Sequence, residues 1–184
     1  MLARGMRDNP IHVAALGDDP GERIARLERM FGVLLEMVAA QTPICAKRDG
    51  VMVGVTGMAL SPGCMPRTRE QLRMLPRLLG LGPGATVRVM RWTGSWASRD
   101  PDERHSHLGP LAVDAHLQGR GIGSRIMEEY CRRLDAAGVL GYLETDKPEN
   151  VPFYERFGYV SVEEAAVLGV PNWFMRRVPR GAAS

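Results

Sequence analysis

Residues 111–124 read Leu-Ala-Val-Asp-Ala-His-Leu-Gln-Gly-Arg-Gly-Ile-Gly-Ser and hold the groups best suited to chemistry. An apolar run passes through a short polar turn into Gly119, Gly121 and Gly123, which open a helical pattern with Arg120 among them. Glycines let a backbone approach a phosphate closely, and the first amides of a helix have no internal partner and sit in a positive partial charge. The segment is therefore expected to cradle an anion. For proton transfer the candidates are Glu144, at the end of an apolar run, and then His105 and His107, whose ordinary pKa lies near neutrality. The same spacing also fits a solvated strand-end carboxylate and two surface histidines. Cys45, Cys64 and Cys131 are odd in number and lack C-x-x-C spacing, which argues against a disulfide framework or a cysteine-built zinc site. His116 is not spaced from His105 and His107 as a metal ligand would be, so no metal is expected.

Spacing decides which anion. A dinucleotide loop needs G-x-G-x-x-G directly after a strand, with an acid about twenty residues on. Gly119 and Gly121 meet the first two positions and Glu144 falls near the acid. However, Ser124 holds the last position, and five residues separate Val113 from the first glycine. Too few residues follow Glu144 to complete a doubly wound sheet, which leaves an oxidoreductase fragment as a distant reading.

The surrounding elements must position this loop. The 184 residues suit a single domain spanning 1–184, and 45% apolar with 24% charged residues excludes general disorder. The net charge of +3 is too small for a nucleic-acid binder, although Lys47 and Lys147 stand against 22 arginines, whose forks suit phosphate and carboxylate. No run reaches the length of a membrane span and no signal-peptide core is present, so a cytoplasmic protein is expected. Residues 1–18 are weakly patterned, with Ile11 to Ala14 as a possible short strand. Asp19-Pro20-Gly21-Glu22 then opens a helix that carries Ile24, Leu27, Phe31, Leu34, Leu35 and Val38 toward Ala40. Arg48-Asp49-Gly50 joins two strands, 43–47 and 51–59. Residues 66–99 read as two helical pieces, the first marked by Leu72, Leu75, Leu78 and Leu79 and the second by Val87, Met90 and Trp96. Trp92 and Trp96, four apart, fit core packing or an apolar pocket wall. Residues 100–104 read as an exposed loop. Strand 107–113, helix 121–137 and strand 140–145 imply a parallel pair buried by its crossover helix. A short helix 151–157 and strands 159–162 and 172–176 complete a mixed α/β sheet flanked by helices.

Two segments resemble a known family. Gln118-x-x-Gly121-x-Gly123 is similar to the Q/R-x-x-G-x-G/A loop of the GNAT superfamily of N-acetyltransferases. Residues 150–159, Asn-Val-Pro-Phe-Tyr-Glu-Arg-Phe-Gly-Tyr, resemble its N-x-x-F/Y-Y-x-x-x-G-F segment. Together with 108–113 and 142–145 they resemble the branch that contains puromycin N-acetyltransferase. The resemblance covers about 105–178, the expected cofactor-binding half. The family's usual first strand is missing, truncated or confined to the opening residues.

This resemblance implies an α+β fold, a largely antiparallel twisted sheet whose central parallel pair splays to hold acetyl-CoA, with helices on both faces. It implies acetyl-CoA as cosubstrate, its diphosphate on Gln118, Gly119, Arg120, Gly121, Ile122, Gly123 and Ser124. The pantetheine arm would follow Leu111, Ala112 and Val113. Tyr154 would protonate the departing thiolate, and Asn150 would cap the short helix and touch the cofactor. Glu144 would take the amine's proton. The acceptor would be a small molecule's primary amine attacking directly, and a homodimer would be in keeping with similar proteins. A non-catalytic acetyl-CoA sensor is the alternative.

Overall fold

The computed structural model describes residues 1–37, 43–62, 64 and 76–181. Its elements run α1 (Leu2–Gly5), α2 (Pro10–Leu16), α3 (Pro20–Met37), β1 (Ile44–Arg48), β2 (Val51–Thr56), β3 (Met58–Leu60), α4 (Pro83–Ala97), β4 (His105–Leu108), β5 (Ala112–Val113), α5 (Ile122–Ala137), β6 (Leu140–Thr145), α6 (Val151–Glu155), β7 (Val160–Val167) and β8 (Val170–Arg177). Val38, Ala39, Ala40, Leu72 and Leu75, placed on helices by periodicity, lie outside the described residues.

The opening is helical, not a strand or an unpatterned arm. Asn9-Pro10 starts α2, with proline at the first helical position, and Ile11, His12, Ala15 and Leu16 are buried. A buried carboxylate anchors this start from afar: the Ile11 amide donates to Asp146 Oδ2 at 2.7 Å. Helix α3 begins as expected, with the Glu22 amide donating to Asp19 Oδ1 at 2.6 Å. In α4 the buried stripe is Ala85, Val89 and Trp92, whereas Val87 and Met90 face solvent. The stripe follows Pro83 at the helix start, one residue out of phase with the expected set.

Asp49 and Gly50 take positive φ, 52° and 78°, and close a two-residue hairpin between β1 and β2. A second such turn, Leu168-Gly169, joins β7 to β8, so these strands run well beyond the expected 159–162 and 172–176. Residues 160–164 of β7 are exposed, which removes the alternation that would have marked a strand.

Strand order is β1-β2-β5 in one sheet and β3-β4-β6-β8-β7 in the other. Among the described residues only β4 and β6 pair in parallel; the remaining ladders are antiparallel. The expected strand 107–113 is in fact β4 and β5 separated by Gly109-Pro110-Leu111, because Pro110 has no amide to give a ladder. Gly57 breaks the partner run between β2 and β3. The two breaks meet: the Gly109 amide donates to Gly57 O at 3.1 Å, and a Cβ on Gly109 would lie 2.8 Å from Gly57 Cα.

Helices cover both faces. Helices α1 to α4 bury Ile11, Leu16, Leu27, Phe31 and Trp92 against Tyr142 and Phe174. On the opposite face α5 and α6 bury Met127, Tyr130, Leu134 and Tyr154 against Leu143, Tyr159 and Met175. Burying a side chain of this size contributes about 1.5–3 kcal/mol. Helix α5 packs on β1, β2, β5 and β6 and so spans both sheets.

Candidate active site

The parallel ladder pairs His105, Ser106 and His107 with Leu140, Gly141 and Tyr142, and ends there. Beyond it β5 pairs, among the described residues, with β2 alone, while β6 continues to Thr145 alongside β8. The sheet therefore opens between residues 108–113 and 143–145. One lip carries Leu111, Ala112 and Val113; the other carries Glu144 and Thr145.

The glycine loop closes the end of this opening. A 3₁₀ turn, Ala115–Leu117, leads into Gln118, which donates through Nε2 to Val113 O at 3.2 Å. Gly119 and Gly121 hold φ of 74° and 76°, and a Cβ at either position would meet nothing within 4 Å. Gly121 precedes α5 in the left-handed conformation, no side chain caps the helix, and its first turn holds no acidic residue. Arg120 is exposed, while Ile122, Gly123 and Ser124 are half-buried. The result is an open, uncapped helix N-terminus with unblocked backbone amides, which suits a diphosphate.

Side-chain alternation explains the polar cluster beside it. His105 and His107 on β4, and Tyr142 and Glu144 on β6, all project to the α1–α4 face. His107 donates through Nε2 to Glu144 Oε2 at 2.7 Å and through Nδ1 to Asp100 Oδ1 at 3.2 Å. Burial alone would lower the His107 pKa, but the charge of Glu144, with hydrogen bonds to Asp100, Cys64 and Glu144, holds it well above the ordinary histidine value. Asp100 is desolvated, yet its bond to His107 and the nearby imidazoles keep its carboxyl below the usual range.

Glu144 is no solvated strand end. Its side chain is 2% exposed, and Oε1 is buried with no hydrogen-bond partner among the described residues. His105 is fully buried and His107 mostly so, which corrects the surface reading of both. His116, at 74% side-chain exposure, pairs with Asp114.

Tyr154 lies on α6 against Phe153 and Tyr159, and its hydroxyl has no hydrogen-bond partner among the described residues. Burial, and then the charge of Asp146, push its pKa above the ordinary tyrosine value, so it keeps its proton at neutral pH. Asn150 does not cap α6. The turn Pro148–Asn150 already places it in a helical conformation, and Nδ2 donates to Thr145 Oγ1 at 3.3 Å.

Trp92 and Trp96 pack edge to face at 5.1 Å in the core, with Trp96 Nε1 donating to Asn172 Oδ1 at 3.0 Å. A separate open cavity of about 400 Å³ adjoins the polar cluster, lined by Arg99, Asp100, Tyr142, Glu163, Phe174 and Arg176 among others. Its arginines are matched by acids: Arg99 pairs with Glu163 at 2.7 Å and Arg176 with Glu103 at 2.5 Å.

Sequence reading missed Asp100 and the joining of His107 to Glu144. The signal for the latter was present, since a parallel register setting His107 opposite Tyr142 puts Glu144 on the same face, one alternation further on. Asp100 sits in a segment read as exposed, and nothing local marks it as buried.

Comparison with known proteins agrees with this architecture. The model of the Acetyltransferase (GNAT) family matches residues 17–159. A Corynebacterium glutamicum protein described as histone acetyltransferase HPA2 and related acetyltransferase superposes with a TM-score of 0.74, 20% identity, and coverage of 100% of this chain and 90% of that one. A Drosophila melanogaster polyamine N-acetyltransferase gives 0.61 at 15% identity, covering 96% and 90%. At these identities the likeness is one of fold. No helix among the described residues is long and apolar enough to cross a membrane. The family's model spans most of this sequence, and the chain belongs to the acetyltransferase (GNAT) family.

Proposed function

We propose that the protein transfers the acetyl group of acetyl-CoA to a primary amine of a small molecule, and that it lies in the puromycin N-acetyltransferase-like branch. The observation that carries this reading is the unblocked glycine loop at an uncapped helix N-terminus, set at the mouth of the split sheet in a chain of this family. Acetyl-CoA supplies the activated thioester. Backbone amides of 119–124, with Arg120 and Gln118 alongside, hold its diphosphate, and the free edge at Leu111, Ala112 and Val113 holds the pantetheine amides as a further strand would. Asn150, at the opposite lip, adds a polar contact.

In the transfer, the amine nitrogen bonds to the acetyl carbon as the carbon–sulfur bond breaks. Glu144 accepts the amine's proton on Oε1, while His107 fixes the carboxylate through Oε2. Tyr154 gives its proton to the departing thiolate. No protein nucleophile takes part. The cavity beside Tyr142 and Phe174, within the size range of small-molecule sites, adjoins the polar cluster and offers room for the remainder of the acceptor molecule. The Drosophila relative's polyamine acceptor supports a small amine.

The test is calorimetry with acetyl-CoA, followed by thiol release against a panel of amines, with mass spectrometry of any product. Binding with acetylated product is expected. Binding without thiol release from any amine would favour the sensor reading, and absence of binding would overturn both.

A further inference from the structure

Cys64, Asp100 and His105 come from three separate places in the chain, and their donor atoms meet at one point. Cys64 follows β3, Asp100 follows α4, and His105 opens β4. Cys64 Sγ lies 3.4 Å from Asp100 Oδ2 and 3.5 Å from His105 Nε2, and His105 Nε2 lies 3.2 Å from Asp100 Oδ1. His105 is fully buried and Asp100 is 14% exposed.

A cysteine, a histidine and an aspartate can also form a nucleophile triad, but the geometry here is different. In a triad the imidazole stands between the other two, with the thiol at one ring nitrogen and the carboxylate at the other. Here the other nitrogen, Nδ1, donates to the Glu103 carbonyl oxygen at 2.8 Å. Thiol and carboxylate both gather at Nε2. With Nδ1 bonded to a carbonyl, Nε2 faces two further electron-pair donors, the Cys64 sulfur and the Asp100 carboxylate. A single proton bridges only two of the three, whereas one divalent cation satisfies all of them.

We propose that Cys64, Asp100 and His105 bind a zinc-type ion. Tetrahedral bonds of standard length place nitrogen and oxygen ligands about 3.4 Å apart, and sulfur about 3.6 Å from either. The Sγ to Nε2 separation of 3.5 Å matches, and Asp100 meets Nε2 through Oδ1 at 3.2 Å and Sγ through Oδ2 at 3.4 Å, with one ligand atom from each residue within 4.8 Å of the others. A thiolate and an imidazole select a borderline-soft metal over magnesium or calcium. The outer contacts are also those of a metal site: the Glu103 carbonyl orients His105, and His107 Nδ1 donates to Asp100 Oδ1 while Glu144 holds its other nitrogen. Three protein ligands leave a fourth position for water. The ion ties the segment after β3 and the loop after α4 to the first residue of β4, next to the His107–Glu144 pair.

The experiment uses the full chain dialysed against zinc chloride, with metal content read by mass spectrometry, and cobalt chloride as a spectroscopic probe. About one zinc per chain is expected, together with a thiolate-to-cobalt charge-transfer band. Cys64→Ala is expected to abolish the band and weaken zinc binding at least about tenfold, since loss of an outer contact alone costs that much. Asp100→Asn is expected to weaken zinc by a similar factor with the band retained. Cys45→Ala, at an exposed thiol, is expected to change neither. Circular dichroism checks that each variant is folded, and Cys64→Ser replaces Cys64→Ala if the latter is not. Failure of the wild-type chain to retain zinc, or unchanged zinc binding in folded Cys64→Ala or Cys64→Ser, overturns the proposal.

Discussion

Gly121 and Gly138 stand at opposite ends of α5, and together they separate backbone strain from ligand binding. Both are left-handed, with φ of 76° and 59°, and a Cβ on either would meet nothing within 4 Å. Alanine at either site therefore costs only the conformational penalty of that region, about 1–2 kcal/mol. In a chain of this size that lowers Tm by a few degrees, roughly 2–4 °C per kcal/mol. The two substitutions should be matched in thermal melts. Their effect on acetyl-CoA should differ. At position 121 the new methyl group projects into the space above the cradle and holds the diphosphate away from one or two backbone amides. Each hydrogen bond to a charged group is worth about 1.5–3 kcal/mol, so Kd should rise at least about tenfold at one tenfold per 1.4 kcal/mol. Gly138→Ala, at the far end of the helix, should leave Kd within twofold. Calorimetry on both variants, below their melting transitions, gives the comparison. Equal affinity in the two variants would refute the assignment of the diphosphate to this loop.

Tyr154→Phe should lower kcat severely with little change in acetyl-CoA affinity, because it removes one oxygen from a ring whose packing is retained; unaltered turnover excludes the acid role. Glu144→Gln should lower kcat severely with little change in acetyl-CoA affinity, and unaltered turnover removes Glu144 as the base. Asp135→Asn should destabilise the fold by about 3 kcal/mol, because Arg177 is 2% exposed and donates through both terminal nitrogens to Asp135 at 2.7 and 2.8 Å. The bond to Arg177 holds the Asp135 carboxyl below its ordinary value. Its stabilisation is therefore complete above the unfolded aspartate pKa and fades as pH falls through the lowered one. Urea melts should show the gap between wild type and Asp135→Asn closing in strong acid; a gap independent of pH would exclude the ion pair as its source.

The elements that the sequence made legible are those whose cause is local. Asp49-Gly50 closes a hairpin, Asp19 and Pro20 start a helix, and 121–137 has enough turns for its apolar face to stand out. Helices α1 and α2 have four and seven residues, too few for a period to emerge, although Asn9-Pro10 marks the start of α2. The break of β4 from β5 needs the partner strand to be known, since Gly109 approaches Gly57 across 52 positions of sequence. The candidate site divides in the same way. The glycine cradle is one continuous segment, whereas the Asp100–His107–Glu144 chain is assembled by register and loop return.

The Gly57–Gly109 contact has a consequence for how this chain could vary. Backbone lies against backbone there, so no rotamer can relieve a side chain introduced at Gly109. The point at which the sheet parts is thus fixed by the missing side chain of Gly109, away from the lips themselves. Side chains elsewhere on the sheet can be exchanged while the fork stays where it is. A substitution at Gly109 would instead push the strands apart at their crossing and shift the whole aperture relative to the cradle.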